Sequence, residues 1–496
     1  MLLSDLFLNA GIDLPEEYDT LSNIEISGVV TDSRRAFRGC IFVCIAGHNN
    51  DGHDYIKEAI KNGALVIVAE QVRDGCVGGA AIIKVDNTRL VAARLYNEWY
   101  KRPSDRLKIV GITGTNGKTS VSYMLESIFL EAGVPCAVIG TLGCRINGIE
   151  TQLCRTGLTT PDSSELYPFL ARLADEGIAY VFMEVSSHSL ALSRVEGIEF
   201  EYGVFTNLTR DHLDFHGDME SYFEAKARLF EHCRGKIINT DDPWGARLLK
   251  RYEDGVSCSR RSGASVATSP IIDADGIKYT LCFKGENYRI TSPALGDFAL
   301  TNSQLAATLA FDAGLSAKDV IGGLSRFEGV EGRMEKIRTE RGFDVVIDYA
   351  HTPDALERLL LSLHSIYSLR GGGARIILVF GCGGERDRGK RKQMASVASR
   401  LCDFVIVTSD NPRGEDPDAI IADVMKGIDK EKPHVKIKSR EDAINYAVEI
   451  AREGDVVVFA GKGHEKYQIT AEGRIPFDER EVLRSALKKI KREGNV

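Results

Sequence analysis

The feature that most constrains the fold is a glycine-rich turn, Gly111-Ile-Thr-Gly-Thr-Asn-Gly-Lys-Thr119, between the apolar run Leu107-Lys-Ile-Val-Gly111 and a helical pattern. A strand that passes through glycines straight into a helix leaves unpaired N–H groups at the helix start, and these suit an anion. Gly114, Thr115, Asn116, Gly117 and Ser120 offer backbone to phosphate oxygens. Lys118 adds charge at the terminal phosphates, and Thr119 offers a hydroxyl to Mg2+. Gly111 stands one residue too early for the strict G-x-x-x-x-G-K-[ST] spacing, so the loop is a variant of the P-loop. Such loops lie at the carboxyl edge of a mostly parallel sheet, which predicts an α/β fold.

The chain has 496 residues, more than one ordinary core, and about 150 residues per domain suggests three. Residues 1–102 mix short apolar runs with polar turns and read as a small α/β domain. Lys101-Arg-Pro-Ser-Asp105 reads as a linker opening a central block, 103–333, built on a parallel sheet. A third block, 334–496, repeats buried-type strands, each followed at once by a polar motif: Asp348-Tyr-Ala-His351, Gly381-Cys-Gly-Gly-Glu-Arg386, Asp410-Asn-Pro-Arg413 and Gly461-Lys-Gly-His-Glu465. This predicts a doubly wound, Rossmann-like sheet whose motifs converge on one edge.

Composition removes several function classes. A net charge of −8 gives no electrostatic reason for nucleic-acid binding. Eleven cysteines without a C-x-x-C pair argue against a disulfide framework or zinc ribbon. The first ten residues lack a basic n-region and contain Asp5, so no secretory signal is expected. No apolar run reaches the roughly 18–20 residues needed to cross a bilayer. The expectation is a cytoplasmic protein off the membrane.

Glu184 ends the apolar run Ala179-Tyr-Val-Phe-Met183 and can offer oxygen to a hard cation. His212 and His216 are four apart, as in a zinc pair on one helix face, but Asp211, Asp214 and Gly217 make the stretch loop-like and argue against zinc. Lys226 lies in a helix-compatible segment, 221–230, and alone reads as a solvated lysine.

The loop Gly114-Thr-Asn-Gly-Lys-Thr119 resembles the ATP loop of the Mur ligase family. Met183-Glu-Val-Ser-Ser-His188, Asn207-Leu-Thr-Arg-Asp-His-Leu-Asp214, Tyr222-Phe-Glu-Ala-Lys-Ala-Arg-Leu-Phe230, Gly332-Arg-Met-Glu335 and Asp348-Tyr-Ala-His-Thr-Pro-Asp354 follow in that family's order. The resemblance implies the three-domain Mur ligase architecture and an ATP-dependent, ADP-forming ligase that joins an amine to a carboxylate. It implies that Lys118, Glu184, His212 and Lys226 serve catalysis. Thr119, Glu184, His212 and Lys226 would hold metal, with Lys226 carbamylated into an anionic oxygen ligand for Mg2+. Asn302, Arg333, Asp348 and His351 would contact adenine and ribose. Ala299 and Glu331 depart from the family's usual Asn and Pro, which loosens the map around adenine.

Thr31-Asp-Ser-Arg34 and Gly47-His-Asn-Asn-Asp-Gly52 resemble uridine-binding turns, with Ser33, His48, Asn49 and Asn50 as contacts. Thr159, Thr160, Ser186 and Arg194 match positions that hold a muramoyl-dipeptide. Leu192 stands where some relatives have Gln. Asp410, Asn411, Pro412 and Arg413 match the family signature for meso-diaminopimelate, which differs from lysine by one carboxylate; a guanidinium grips a carboxylate bidentately. Arg386, Gly461 and Glu465 complete the implied pocket. The implied partners are UDP-N-acetylmuramoyl-L-alanyl-D-glutamate, meso-diaminopimelate and ATP, handled by a monomer in peptidoglycan precursor synthesis. Three rival readings are a lysine-adding relative, a folylpolyglutamate synthase-like ligase and a non-catalytic nucleotide switch. Arg413 opposes the first and the N-terminal block the second. A switch would not need Glu184, Lys226 and an amino-acid pocket together.

Overall fold

The structure is a computed structural model that describes residues 1–14, 23–47, 50–71, 79–152, 157–367 and 374–493. They form two compact units, Met1–Val266 with Gln304–Gly323, and Ala267–Ser303 with Leu324–Val496. Among the described residues, no helix is long and apolar enough to cross a membrane.

The first unit holds two sheets. Near the N-terminus, Gly28–Val30, Cys40–Val43, Val66–Ala69 and Ala81–Lys84 pair in that order, all parallel. The larger sheet runs Val256–Ser259, Cys233–Asn239, Phe200–Phe205, Lys108–Thr113, Tyr180–Glu184 and Cys136–Gly140 in parallel. Gly143–Ile146 and Ile149–Thr151 then extend it antiparallel. The strand before the glycine-rich turn is therefore central, as expected of a run buried on both faces. Register levels the carboxyl ends: Thr113 pairs with Phe205, Ile112 with Glu184 and Met183 with Ile139. The sheets share one apolar core, and the helix Thr88–Trp99 joins them through Arg94–Glu196 at 3.0 Å and Asn97 Nδ2 donating to Gly197 O at 3.1 Å.

The second unit is built on Glu335–Arg338, Asp344–Asp348, Val456–Ala460, Ile376–Phe380, Phe404–Val407 and His434–Lys436 in sheet order. All pairs are parallel except the first. Val456 and Val458 face one core with Leu378 and Val405, while Val457 and Phe459 face another with Ile377 and Val379. This alternation is why the runs look uniformly apolar in sequence: both faces are covered. Asp348 pairs with Ala460, Ala460 with Phe380, and Phe380 with Val407, so the four motif-bearing strands end level.

Candidate active site

In the first unit, the chain leaves Lys108–Thr113, turns through Gly114–Gly117 and enters the helix Lys118–Glu131. Gly114 has φ 148°, and a Cβ there would lie 1.9 Å from Thr206 Oγ1, so only glycine fits. Gly117 caps the helix at φ 88°. The neighbouring strand's exit holds the turn: Thr115 N donates to Asn207 O (2.9 Å), Asn116 N to Asn207 Oδ1 (3.0 Å), and Asn207 Nδ2 and Thr206 Oγ1 donate back to Asn116 O (3.1 and 2.6 Å). Lys118 Nζ folds onto the carbonyls of Gly114 and Thr115, both at 2.9 Å. The loop is thus shaped by hydrogen bonds from outside itself, and neither Thr206 nor Asn207 was marked by sequence as part of it.

Lys226 stands on the helix Met219–Ala227, only 1% exposed, and its Nζ donates to Gly114 O at 2.9 Å. Two lysine nitrogens therefore share one carbonyl. Burial, and then the charge of Lys118, hold the Lys226 amine well below the ordinary lysine range. A neutral, nucleophilic amine is the form that reacts with carbon dioxide, and burial favours that form here. Tyr222 presents its ring 4.8 Å from Lys226 Nζ and its hydroxyl 3.2 Å from Thr115 Oγ1.

Glu184 is fully buried at the end of its strand. Thr141 holds both of its oxygens, with N–H to Oε1 at 3.1 Å and Oγ1 to Oε2 at 2.9 Å. Among the described residues no cationic side chain pairs with this carboxylate, which suits a cation from outside the protein. Also among the described residues, no cluster of three or more His, Cys, Asp or Glu forms a protein cage. Glu184 instead fits Mg2+, which binds through few protein ligands and completes its shell with water and phosphate.

His212 has φ 53° and precedes a four-residue helix, Leu213–His216. The stretch read as loop-like therefore contains a helical turn, too short to give a periodic signal. Burial lowers the pKa of His212 and of His216. His188 packs 4.9 Å from the His212 ring and is lowered to about 4, mainly by burial. Burial thus favours the neutral form of all three rings, the form in which imidazole ligates metal. His216 stacks on Tyr222 and pairs with Ser187 Oγ at 2.9 Å.

Thr160 is fully buried, donating to Glu184 O (2.8 Å) and accepting from Ser186 N (3.0 Å). Ser186 caps the next helix through Ser189 N. Thr159 Oγ1 lies 3.2 Å from Thr141 Oγ1, and Arg194 reaches Thr160 O (3.2 Å) and Asp162 (2.6 Å). Thr160 thus touches Glu184 directly, Thr159 is linked to it through Thr141, and Ser186 and Arg194 meet Thr160. Beside the smaller sheet, in the helical turn Ser33–Arg35, the hydroxyl of buried Ser33 is spent on Glu58. Asn50 is exposed, with its carbonyl accepting from Gly47 N at 2.8 Å. His48 and Asn49 lie outside the described residues.

The second unit gathers its own site at the level strand ends. Asp348 Oδ2 accepts from Met334 N and Oδ1 from Ala350 N, both at 2.7 Å. Burial raises its pKa, against the pull of Arg333 and these N–H groups. Arg333 lies over the Tyr349 ring at 4.6 Å with its Nε buried and without a hydrogen bond. His351 packs on the same ring at 4.7 Å. Asn302 is buried in the helix Asp297–Asp312.

The turn Asp410-Asn-Pro-Arg413 leaves Arg413 at φ 53°, a left-handed conformation costing about 1–2 kcal/mol for a non-glycine residue. Its Nη1 donates to Gly384 O (2.8 Å) and Asn411 O (3.4 Å). Asn411 is buried, with Oδ1 accepting from Ile469 N (2.9 Å) and Nδ2 donating to Glu465 Oε2 (2.7 Å). Its side chain thus serves the pocket's frame. Gly461 has φ 115°, and a Cβ there would meet Asp410 Oδ2 at 2.6 Å. Arg386 is exposed on the adjacent loop. The arrangement offers a cation at Arg413 and an anion at Glu465, linked through Asn411.

Comparison with known proteins agrees along the chain. Residues 25–110 match the Mur ligase family catalytic domain, 112–310 the Mur ligase middle domain, and 332–463 the Mur ligase glutamate ligase domain. A Syntrophomonas wolfei protein named UDP-N-acetylmuramoyl-L-alanyl-D-glutamate–2,6-diaminopimelate ligase is 40% identical, covering 98% of this chain and 99% of its own. A Gloeobacter violaceus protein of the same name is 42% identical, covering 100% and 99%. A solved structure of a ligase with that name superposes with a TM-score of 0.70 at 32% identity, covering 99% and 100%. With matches of this extent to all three domains, the chain belongs to the Mur ligase family.

Proposed function

We propose that this protein joins meso-diaminopimelate to UDP-N-acetylmuramoyl-L-alanyl-D-glutamate, converting ATP to ADP and phosphate. One observation carries the choice of amine: Arg413 has spent Nη1 on two backbone carbonyls, which leaves its Nε–Nη2 edge for a carboxylate while Asn411 ties the turn to Glu465. Lysine lacks the second, distal carboxylate that this edge would hold. The names of the relatives support the same reading.

A free carboxylate is a poor electrophile, so the glutamyl carboxylate first attacks the γ-phosphorus of ATP to give an acyl phosphate and ADP. Gly114–Ser120 holds the phosphates and Lys118 offsets charge at the transferred group. Glu184, Thr119, His212 and carbamylated Lys226 are the residues that would hold Mg2+, which neutralises phosphate charge when bound. Thr159, Thr160, Ser186 and Arg194 orient the acid. The free amine of diaminopimelate then attacks the acyl carbon, and the tetrahedral adduct expels phosphate as the amide forms.

Ser33, His48, Asn49 and Asn50 would hold uridine, and Asn302, Arg333, Asp348 and His351 the adenosine. We place the domain boundaries after residues 102 and 333, and the protein in the cytoplasm as a monomer. The test is ADP release from purified protein with the nucleotide dipeptide, Mg-ATP and either amino acid. Release with diaminopimelate is expected. None with either amino acid refutes the ligase reading, and release with lysine alone refutes the choice of amine.

A further inference from the structure

Lys462 follows the strand Val456–Ala460 and is wholly buried. Its Nζ donates to Asn411 Oδ1 and to Glu465 Oε2, each at 3.1 Å, and lies 5.9 Å from the centre of the Tyr467 ring. Asn411 Nδ2 donates to the same carboxylate oxygen at 2.7 Å. Both donors therefore converge on Oε2, and among the described residues none reaches Oε1. The flanking glycines hold the lysine inward: Gly461 has φ 115° and Gly463 φ 54°, and a Cβ on Gly463 would meet Gly332 O at 2.8 Å.

A buried ion pair is costly to desolvate, and an apolar side chain would fill the same space at less expense. What the lysine supplies is orientation. Its ammonium determines which way the Asn411 amide faces, because Oδ1 must receive two donors, Lys462 Nζ and Ile469 N. That leaves Nδ2 to draw Glu465 Oε2 inward. With no exposed surface, Lys462 cannot touch a ligand itself.

We propose that Lys462 is a positioning residue for amino-acid specificity: by engaging Asn411 and one oxygen of Glu465, it presents the other oxygen to the distal ammonium of the incoming diamino acid. This rests on the proposed function above. The informative probe is 2-aminopimelate, which keeps the chain and both carboxylates of diaminopimelate but lacks the distal amine.

In ADP-release assays on the full-length enzyme, kcat/KM for diaminopimelate should exceed that for 2-aminopimelate by at least about 100-fold, as for a site built around a polar partner. Lys462→Met should cut that ratio at least about tenfold, with the ATP KM held within about twofold, and should change it by less than about threefold in a Glu465→Gln background. Lys462→Gln, which keeps a donor but loses the charge, should fall between and serves if the methionine variant does not fold. An equal loss on both amino acids in either variant, an unchanged ratio, or effects that add in the double variant would overturn the proposal. Failure of the underlying reading shows separately, as wild-type enzyme that releases no ADP with diaminopimelate; that result would overturn both.

Discussion

Replacing Arg413 by alanine separates the amino-acid pocket from the nucleotide site. Of the five guanidinium N–H donors, the two on Nη1 point at Gly384 O and Asn411 O. On the proposed reading, the Nε–H and one Nη2–H then form a two-pronged edge for the carboxylate that distinguishes diaminopimelate from lysine. Each charge-assisted bond is worth roughly 1.5–3 kcal/mol. The side chain is half-exposed, and screening reduces the pair to roughly 2–4 kcal/mol. At about 1.4 kcal/mol per decade, Arg413→Ala should lower kcat/KM for diaminopimelate by roughly 30- to 700-fold. The ATP KM should move less than about threefold, because the loss falls on one substrate's binding. Arg413→Lys keeps the charge without the fork and should fall between. Initial rates with each substrate varied against saturating partners give these values. Parallel losses for ATP and diaminopimelate, or an Arg413→Ala effect below about threefold on diaminopimelate, would show that this edge does not face the carboxylate.

On the proposed reading Lys226→Ala should cut turnover by at least about 100-fold, since it would remove a preorganised ligand for the phosphate-bound cation; bicarbonate should not restore it, whereas acetate or propionate should in part. Labelling the wild-type protein with carbon-13 bicarbonate should give a carbamate resonance that the variant lacks. Thr141→Val deletes the 2.9 Å hydroxyl bond to Glu184 Oε2 but keeps the backbone N–H, a loss of about 1.5–3 kcal/mol. It should raise the Mg2+ concentration for half-maximal rate by roughly 10- to 150-fold, and an unchanged Mg2+ titration would remove Glu184 from the metal site. Arg440 and Glu479 form a fully buried pair at 2.7 Å, and Arg440 also binds Ser409 O and Ala460 O. Arg440→Met should destabilise by about 3–5 kcal/mol in denaturant melts, and adding Glu479→Leu should recover most of that loss.

The parts legible in sequence were those where one local signal decided the geometry. Strand, glycines and Lys118 together permit one backbone path, and the structure follows it. The apolar runs that precede the four polar motifs of the third block fall at strands because residues buried on both faces leave little room for polar ones. Burial of polar groups was not legible. Lys226 alone reads as solvated, yet it is interior because Gly114 O and the Tyr222 ring receive it. Asn411 reads as a ligand contact from its motif, while its amide is committed to Lys462, Ile469 and Glu465. Thr141 carries no motif, because its role depends on a strand neighbour 43 residues away. The four parallel strands near the N-terminus, three or four residues each, are too short for periodicity to announce.

The same distinction explains why the lysine pair is so informative. Two ammonium groups on the Gly114 carbonyl would repel each other in a poorly hydrated pocket, and burial adds to the penalty on Lys226. Loss of the Lys226 proton removes that repulsion. On the proposed reading, carbamylation goes further and reverses the sign, so that Lys118 and the new carboxylate attract across the loop that takes the phosphates. A position that is electrostatically unfavourable for lysine thus becomes favourable for its modified form. The fold disfavours the charged amine by burial and by its placement beside Lys118.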